Sequence, residues 1–181
     1  MKTFIKLLLV ILIACPFTTS LLSSCAEESD CSVAGRPMLR GNFYQGLDER
    51  GDNIRVTVNY LTVRAFGTDS IILNAKEKAD SITLPLRYTA DSTVFVFQYN
   101  KEDPKQADTI TILHKNTPFF ISVDCGYEVK QTLTDKKFTK NFLDTIHVRN
   151  QDTNVDGTEN LRFIFKSNDT DPDSRSIIGA K

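Results

Sequence analysis

Asn53-Ile54-Arg55-Val56-Thr57-Val58-Asn59-Tyr60-Leu61-Thr62-Val63-Arg64-Ala65 is the stretch on which the fold turns. Ile54, Val56, Val58 and Tyr60 share one parity, and Leu61, Val63 and Ala65 share the other. Alternation of this kind marks a strand with one buried face. The change of parity after Tyr60 predicts a bulge or bend inside the run. Working outward, Ile82, Leu84 and Leu86 alternate around Pro85, which fits a strand end or edge because proline donates no ladder hydrogen bond. Val94-Phe95-Val96-Phe97 is apolar on both faces and suits a central strand. Further bursts are Ile110 with Ile112, then Phe119, Ile121, Val123 and Cys125 on one parity, which predicts a buried face for Cys125. Tyr127, Val129 and Leu133 follow, then Ile146 with Val148, and Leu161, Phe163 and Phe165 opposite Arg162 and Lys166. Roughly eight or nine strands with no long helical period predict an all-β domain, an antiparallel β-sandwich with a small closed barrel as the alternative.

Composition agrees. The chain has 181 residues, 40% hydrophobic and 25% charged, as a single globular domain would. Lys plus Arg number 22 against 23 Asp plus Glu, so there is no basic footprint for nucleic acid. The domain spans 41–166, preceded by a tether over 25–40. Residues 167–181 show no partner pattern and read as a disordered tail.

The N-terminus is an address. Lys2 and Lys6 precede an apolar run from Leu7 to Phe17, followed by small residues up to Cys25. That is the layout of a secretory signal peptide over 1–24, and the run is shorter than the roughly 20 residues a bilayer-spanning helix needs. Leu22-Ser23-Ser24-Cys25 resembles a bacterial lipobox, which makes Cys25 the lipidated first residue of the mature chain. Two alternatives stand beside it: Leu12-Ile13-Ala14-Cys15 as the lipobox, and cleavage without lipid. Glu27, Glu28 and Asp30 form a short acidic run behind Cys25, similar to the export signal that Bacteroidota-type lipoproteins carry there.

With Cys15 removed and Cys25 lipidated, Cys31 and Cys125 remain. In an exported protein two cysteines read as a disulfide, with a free buried thiol as the alternative. Asp152-Thr153-Asn154-Val155-Asp156-Gly157 opens like a calcium loop, with oxygen ligands on Asp152, Asn154 and Asp156. Phe163 then occupies the place of the closing glutamate, and a plain hairpin loop explains the same residues. Asp followed by Ser or Thr recurs at Ser70, Ser81, Ser92, Thr109 and Thr145. Such pairs bond nearby backbone and end turns where strands begin; with the next residue they also resemble the O-glycosylation signal of secreted Bacteroidota proteins. His114 and His147 have no evident partner. No nucleophile-elbow, zinc-protease, phosphate-loop or dinucleotide motif is present, and no cofactor other than calcium is suggested.

The ordered series Cys31-Ser32 with Arg36-Pro37-Met38-Leu39, Gly67-Thr68-Asp69-Ser70-Ile71, Leu84-Pro85-Leu86, Phe95-Val96-Phe97, Asp124-Cys125-Gly126, Asp144-Thr145-Ile146 and Glu159-Asn160-Leu161-Arg162-Phe163 resembles an uncharacterised family of Bacteroidota lipoproteins. The resemblance implies a lipid anchor and an outer-membrane location, and transfers no catalytic residue. The expectation is a non-catalytic, membrane-anchored domain presenting an interaction surface to a ligand or an envelope protein. A small hydrolase using carboxylates and a periplasm-facing accessory protein are the alternatives.

Overall fold

The computed structural model describes residues 37–47, 51–68, 70–153, 157–167 and 177–180. The chain divides into two units after Val33, and all that follows concerns the second, Ala34–Lys181. Cys25 and Cys31 lie outside the described residues, as do Asn154 and Asp156.

The elements are all strands: β1 (Met38–Leu47), β2 (Asn53–Ala65), β3 (Ile71–Ala79), β4 (Ser81–Pro85), β5 (Ser92–Gln98), β6 (Ala107–Ser122), β7 (Gly126–Phe138), β8 (Leu143–Val148), β9 (Leu161–Phe165) and β10 (Ile178–Ala180). The fold is all-β, as the alternation predicts. The ladders join one sheet in the order β7-β6-β5-β2-β1-β9-β8, with β3 and β10 on β2 and β4 on β1. The free edge of β7 is met by the chain beyond β8: Leu133 N–H donates to Gln151 O and Thr153 N–H to Gln131 O. The sheet is therefore a nearly closed barrel. All pairs are antiparallel except β1 with β9, which run parallel from Gly41↔Leu161 to Gln45↔Phe165.

β2 shows the predicted change of face: Val56 and Val58 are buried, then Leu61 and Val63. The β2–β3 register is regular from Val58 to Leu61, and its slips between Leu61 and Val63 and between Val63 and Arg64 put the extra residues on β3. β3 takes the other edge with Ala75 and Lys78 at φ 48° and a run of exposed charge. Bulges and charge on an edge strand discourage further pairing. β4 ends at Pro85, and β5 lies between β2 and β6, both as its sequence implies.

The core is aromatic. Phe97 from β5 meets Phe163 from β9 at 5.4 Å between ring centroids, and Phe43 from β1 lies 5.7 and 5.9 Å from Phe163 and Phe165. Tyr99 packs edge-on against Phe142 and Phe165. Gly41 makes room for this arrangement, since a Cβ there would overlap the ring of the buried Phe163. Gly41→Ala is expected to cost about 1–3 kcal/mol, the usual range for overpacking, measured by urea denaturation. A neutral result would mean that the ring moves freely.

Two expectations need correction. Ile177 is buried and Ile178–Ala180 pair with Val56–Val58 of β2, so this part of the C-terminal segment is docked. The parity of Phe119, Ile121, Val123 and Cys125 does not mark a buried face: Val123 is 90% exposed, Phe119 is exposed and Cys125 is half-buried. The last β5–β6 pair is Ser92↔Leu113; the β4–β5 connection meets β6 as far as Asn116, and β6 runs on to Ser122 paired with β7. Beyond Asn116 no further layer among the described residues covers one face.

Candidate functional site at one end of the barrel

β2 ends in Phe66-Gly67-Thr68, turned by Gly67 at φ +75°. Phe66 N–H bonds Val94 O, and Ala65 N–H bonds Ser70 O, which holds this turn beside the start of β5. Between the turn and the connection from β4 to β5 lies a cleft of about 480 Å³, a size that suits a small ligand. Leu86 and Phe95 form an apolar floor, while Thr68, Ser70, Arg87 and Tyr88 supply polar groups. Asp69 lies outside the described residues, and among the described residues no carboxylate lines the cleft.

A buried polar network braces the floor. Thr93 Oγ1 accepts the Arg87 N–H at 2.9 Å and lies 2.9 Å from Nε2 of the buried His114. Asn116 Nδ2 donates to the carbonyls of Arg87, Tyr88 and Ala90, and its Oδ1 accepts from Gln131 Nε2. These bonds fix the cleft wall to β6 and β7. His114 Nδ1 and Gln131 Oε1 have no hydrogen-bond partner among the described residues. Burial pushes the His114 imidazole below its ordinary value, against smaller opposing effects of Asn116 and Asp91.

On the barrel wall, Glu159 accepts from Asn42 Nδ2, Tyr44 Oη and Arg162 Nε at 2.7–2.9 Å. Burial alone would raise the Glu159 carboxyl, but these three donors hold it below the ordinary carboxylate range. Arg162 also stacks 4.9 Å above the Tyr44 ring. Buried Asn160 accepts the Arg40 N–H and donates to the carbonyls of Asn150 and Asp152, tying β1 to the β8–β9 loop. The Glu159-Asn160-Leu161-Arg162-Phe163 string is thus a brace of the barrel.

The shifts of His114 and Glu159 give a signed pH dependence. A base depressed in the fold, and a carboxyl depressed in the fold, both bind protons more readily in the unfolded chain. Stability therefore falls on acidification, first below about pH 6.5 through His114 and then below about pH 4.5 through Glu159. Melting curves at stepped pH should show both phases. His114→Leu should remove only the upper one; an unchanged upper phase would contradict the assignment.

A second depression, of about 640 Å³, lies at the opposite end among Leu47, Asn53, Asp144, Thr145, His147 and Lys166. His147 and Asp144 are exposed there, and the Lys166 ammonium already donates to Asn141 O. The first cleft is the better binding candidate because a buried network holds its wall.

Of the candidate calcium ligands only Asp152 is described. It bonds the Lys130 ammonium at 2.9 Å and the Thr132 hydroxyl at 3.0 Å, and no metal-holding group of three is found among the described residues. Ser81 and Ser92 each open a strand, Ser70 directly precedes one, and Thr109 and Thr145 stand two residues inside theirs. Ser70 alone of the five is exposed; the others are half-buried.

The most conspicuous surface feature is the far half of the β6–β7 hairpin. Phe119, Phe120, Val123 and Tyr127 are exposed, and Phe120 stacks edge-on with Tyr127 at 5.3 Å. Phe66 and Ile71 belong to the same end of the barrel, so six of the eight large apolar side chains exposed among the described residues gather there.

A family model covers residues 60–165, more than half of the chain, and its description is a family of unknown function, DUF6452. The chain belongs to this family. The matched span runs from the middle of β2 to the end of β9 and includes the cleft, the hairpin and the Glu159 brace. β1, which lies between β9 and β4 in the sheet, precedes the match. Comparison with curated proteins and with solved structures yields no match.

Proposed function

We propose that this DUF6452 protein is a lipid-anchored protein of the outer membrane whose barrel presents a non-catalytic binding surface at the cleft-and-hairpin end. The observation that carries the reading is the gathering of exposed apolar side chains at the end of the barrel that holds this cleft. Apolar side chains clustered on one end mark an interaction site more often than chance exposure does. The anchor is supported by the lipobox ending at Cys25 and the acidic run behind it. The Cys31–Cys125 bridge is supported by Cys125, which stands as a half-cystine at the hairpin turn; its partner lies outside the described residues. Asp152 has a lysine for company and makes a poor calcium ligand, so any affinity is expected to be no better than about 10⁻⁴–10⁻³ M. Ser70 is the most accessible of the proposed glycosylation positions.

The anchor is tested by fractionating cells that express variants. Cys25→Ala should move the protein out of the washed membrane pellet or leave it unprocessed, while Cys15→Ala should change nothing. The reverse pattern would overturn Cys25 as the lipidated residue. Protease treatment of intact cells then separates a surface-exposed domain, which is cut, from one facing the periplasm, which is spared.

A further inference from the structure

We infer that the distal β6–β7 ribbon, Pro118–Val129, rests in the headgroup region of the same membrane that holds the anchor, with Phe119, Phe120, Val123 and Tyr127 as its contact residues. This rests on the Cys25 anchor and the Cys31–Cys125 bridge proposed above.

The ribbon is the first ground. Among the described residues Pro118–Val129 is an antiparallel pair without a third strand, and such a pair alone is at best marginally stable in water. This one nevertheless carries aromatic side chains outward, with Phe119 44%, Phe120 55% and Tyr127 75% exposed. Phe120 and Tyr127 face each other across the ladder, and Phe119 and Phe120, as neighbours along the strand, point to opposite faces. Apolar side chains on both faces suit a medium that surrounds the ribbon better than a flat partner that covers one side.

The second ground is reach. Cys125 lies in the turn of this ribbon, and Cys25 precedes Cys31 by six residues. Six extended residues span about 20 Å, and a disulfide sets its Cα atoms about 6 Å apart. With the proposed bridge closed, the acyl chains on Cys25 cannot start farther than about 26 Å from the ribbon turn. The aromatic end is therefore kept close to the bilayer.

The third ground is charge, which sets the depth. Residues 115–130 hold Lys115 and Lys130 against Asp124 and Glu128. A segment with no net charge does not depend on anionic lipid, and acids beside the turn keep it at the headgroups. Tyrosine and other amphipathic rings favour that layer.

The chain contains no tryptophan, so one introduced indole reports alone. The test uses full-length, lipidated protein in vesicles of phosphatidylethanolamine and phosphatidylglycerol. Phe120→Trp should emit at shorter wavelength than in detergent-free solution and be quenched by brominated lipid. Leu47→Trp, exposed at the opposite end of the barrel, should be neither shifted nor quenched. Unquenched Phe120→Trp in protein that still sediments with the vesicles overturns the inference while leaving the anchor standing. A concentration-dependent blue shift without vesicles also overturns it, in favour of a second copy of the chain. Protein lacking the acyl chains (Cys25→Ala) should keep weak vesicle binding. Phe119→Ser with Phe120→Ser and Tyr127→Ser should reduce that binding at least tenfold, at about 1.4 kcal/mol per factor of ten. If Cys25→Ala binds as tightly as the native chain, the anchor reading fails and the inference, which rests on it, falls with it. These side chains are exposed, so the serine variants should keep the native melting temperature.

Discussion

Replacing Asp108 with alanine or asparagine is expected to remove about 3–5 kcal/mol of stability, an appreciable share of the 5–15 kcal/mol margin of a typical domain. Asp108 is fully buried on β6. Its Oδ1 accepts the Thr139 hydroxyl at 2.7 Å and the Asn141 N–H at 2.9 Å. Its Oδ2 accepts the N–H groups of Phe142 and Leu143 at 3.0 Å and the Tyr99 hydroxyl at 3.3 Å. Three consecutive backbone donors, at the turn from β7 into β8, therefore depend on one side chain. Alanine leaves the buried Phe142 and Leu143 donors without an acceptor, each at about 1–3 kcal/mol. Asparagine keeps the shape but puts an amide donor against donors. Tyr99→Phe, which loses only the longest of the five bonds, should cost about 1 kcal/mol or less. Urea denaturation of the three variants measures the order. Asp108→Asn within 1 kcal/mol of the native chain, on a scale where one hydrogen bond contributes about that much, would contradict this role.

Loss of the Cys31–Cys125 bridge should have a comparable effect. In the chain-entropy model a closed loop of roughly 95 residues contributes about 4–5 kcal/mol. Cys125→Ser and Cys31→Ser should each destabilise by that order, and the double variant by no more than either alone, since both remove one bond. Additive losses, or two free thiols in the unreduced mature protein, would refute the pairing. If Cys125 bonds another cysteine, Cys31→Ser alone should be harmless.

The strands were legible because β-branched and aromatic residues alternate wherever a face is covered. The change of buried face in β2 was visible as a parity change after Tyr60, and Pro85 marked the end of β4. The same rule failed on Phe119 to Cys125 for a physical reason. Alternation reports a face that differs from its opposite, and it cannot say whether a neighbouring layer reaches that far; here β5 stops level with Leu113. The docking of β10 was hidden because three residues are too few to show a period. Asp108 looked like any acid ahead of a strand, and its five donors come from Tyr99 and from residues 139–143. The cleft was equally out of reach: its walls come from turns 20 residues apart, each unremarkable alone. Gly67-Thr68-Asp69-Ser70 suggests no mechanism in sequence; Thr68 and Ser70 line that cleft, and Asp69 lies outside the described residues.

The central claim is that the barrel is held to a membrane through Cys25. The most direct measurement is the mass of the N-terminal peptide released by protease from the membrane-bound protein. The account predicts a peptide beginning at Cys25, its sulfur carrying diacylglycerol and its amino group an acyl chain. A peptide that runs through an unmodified Cys25, or one that starts at a lipidated Cys15, would contradict it.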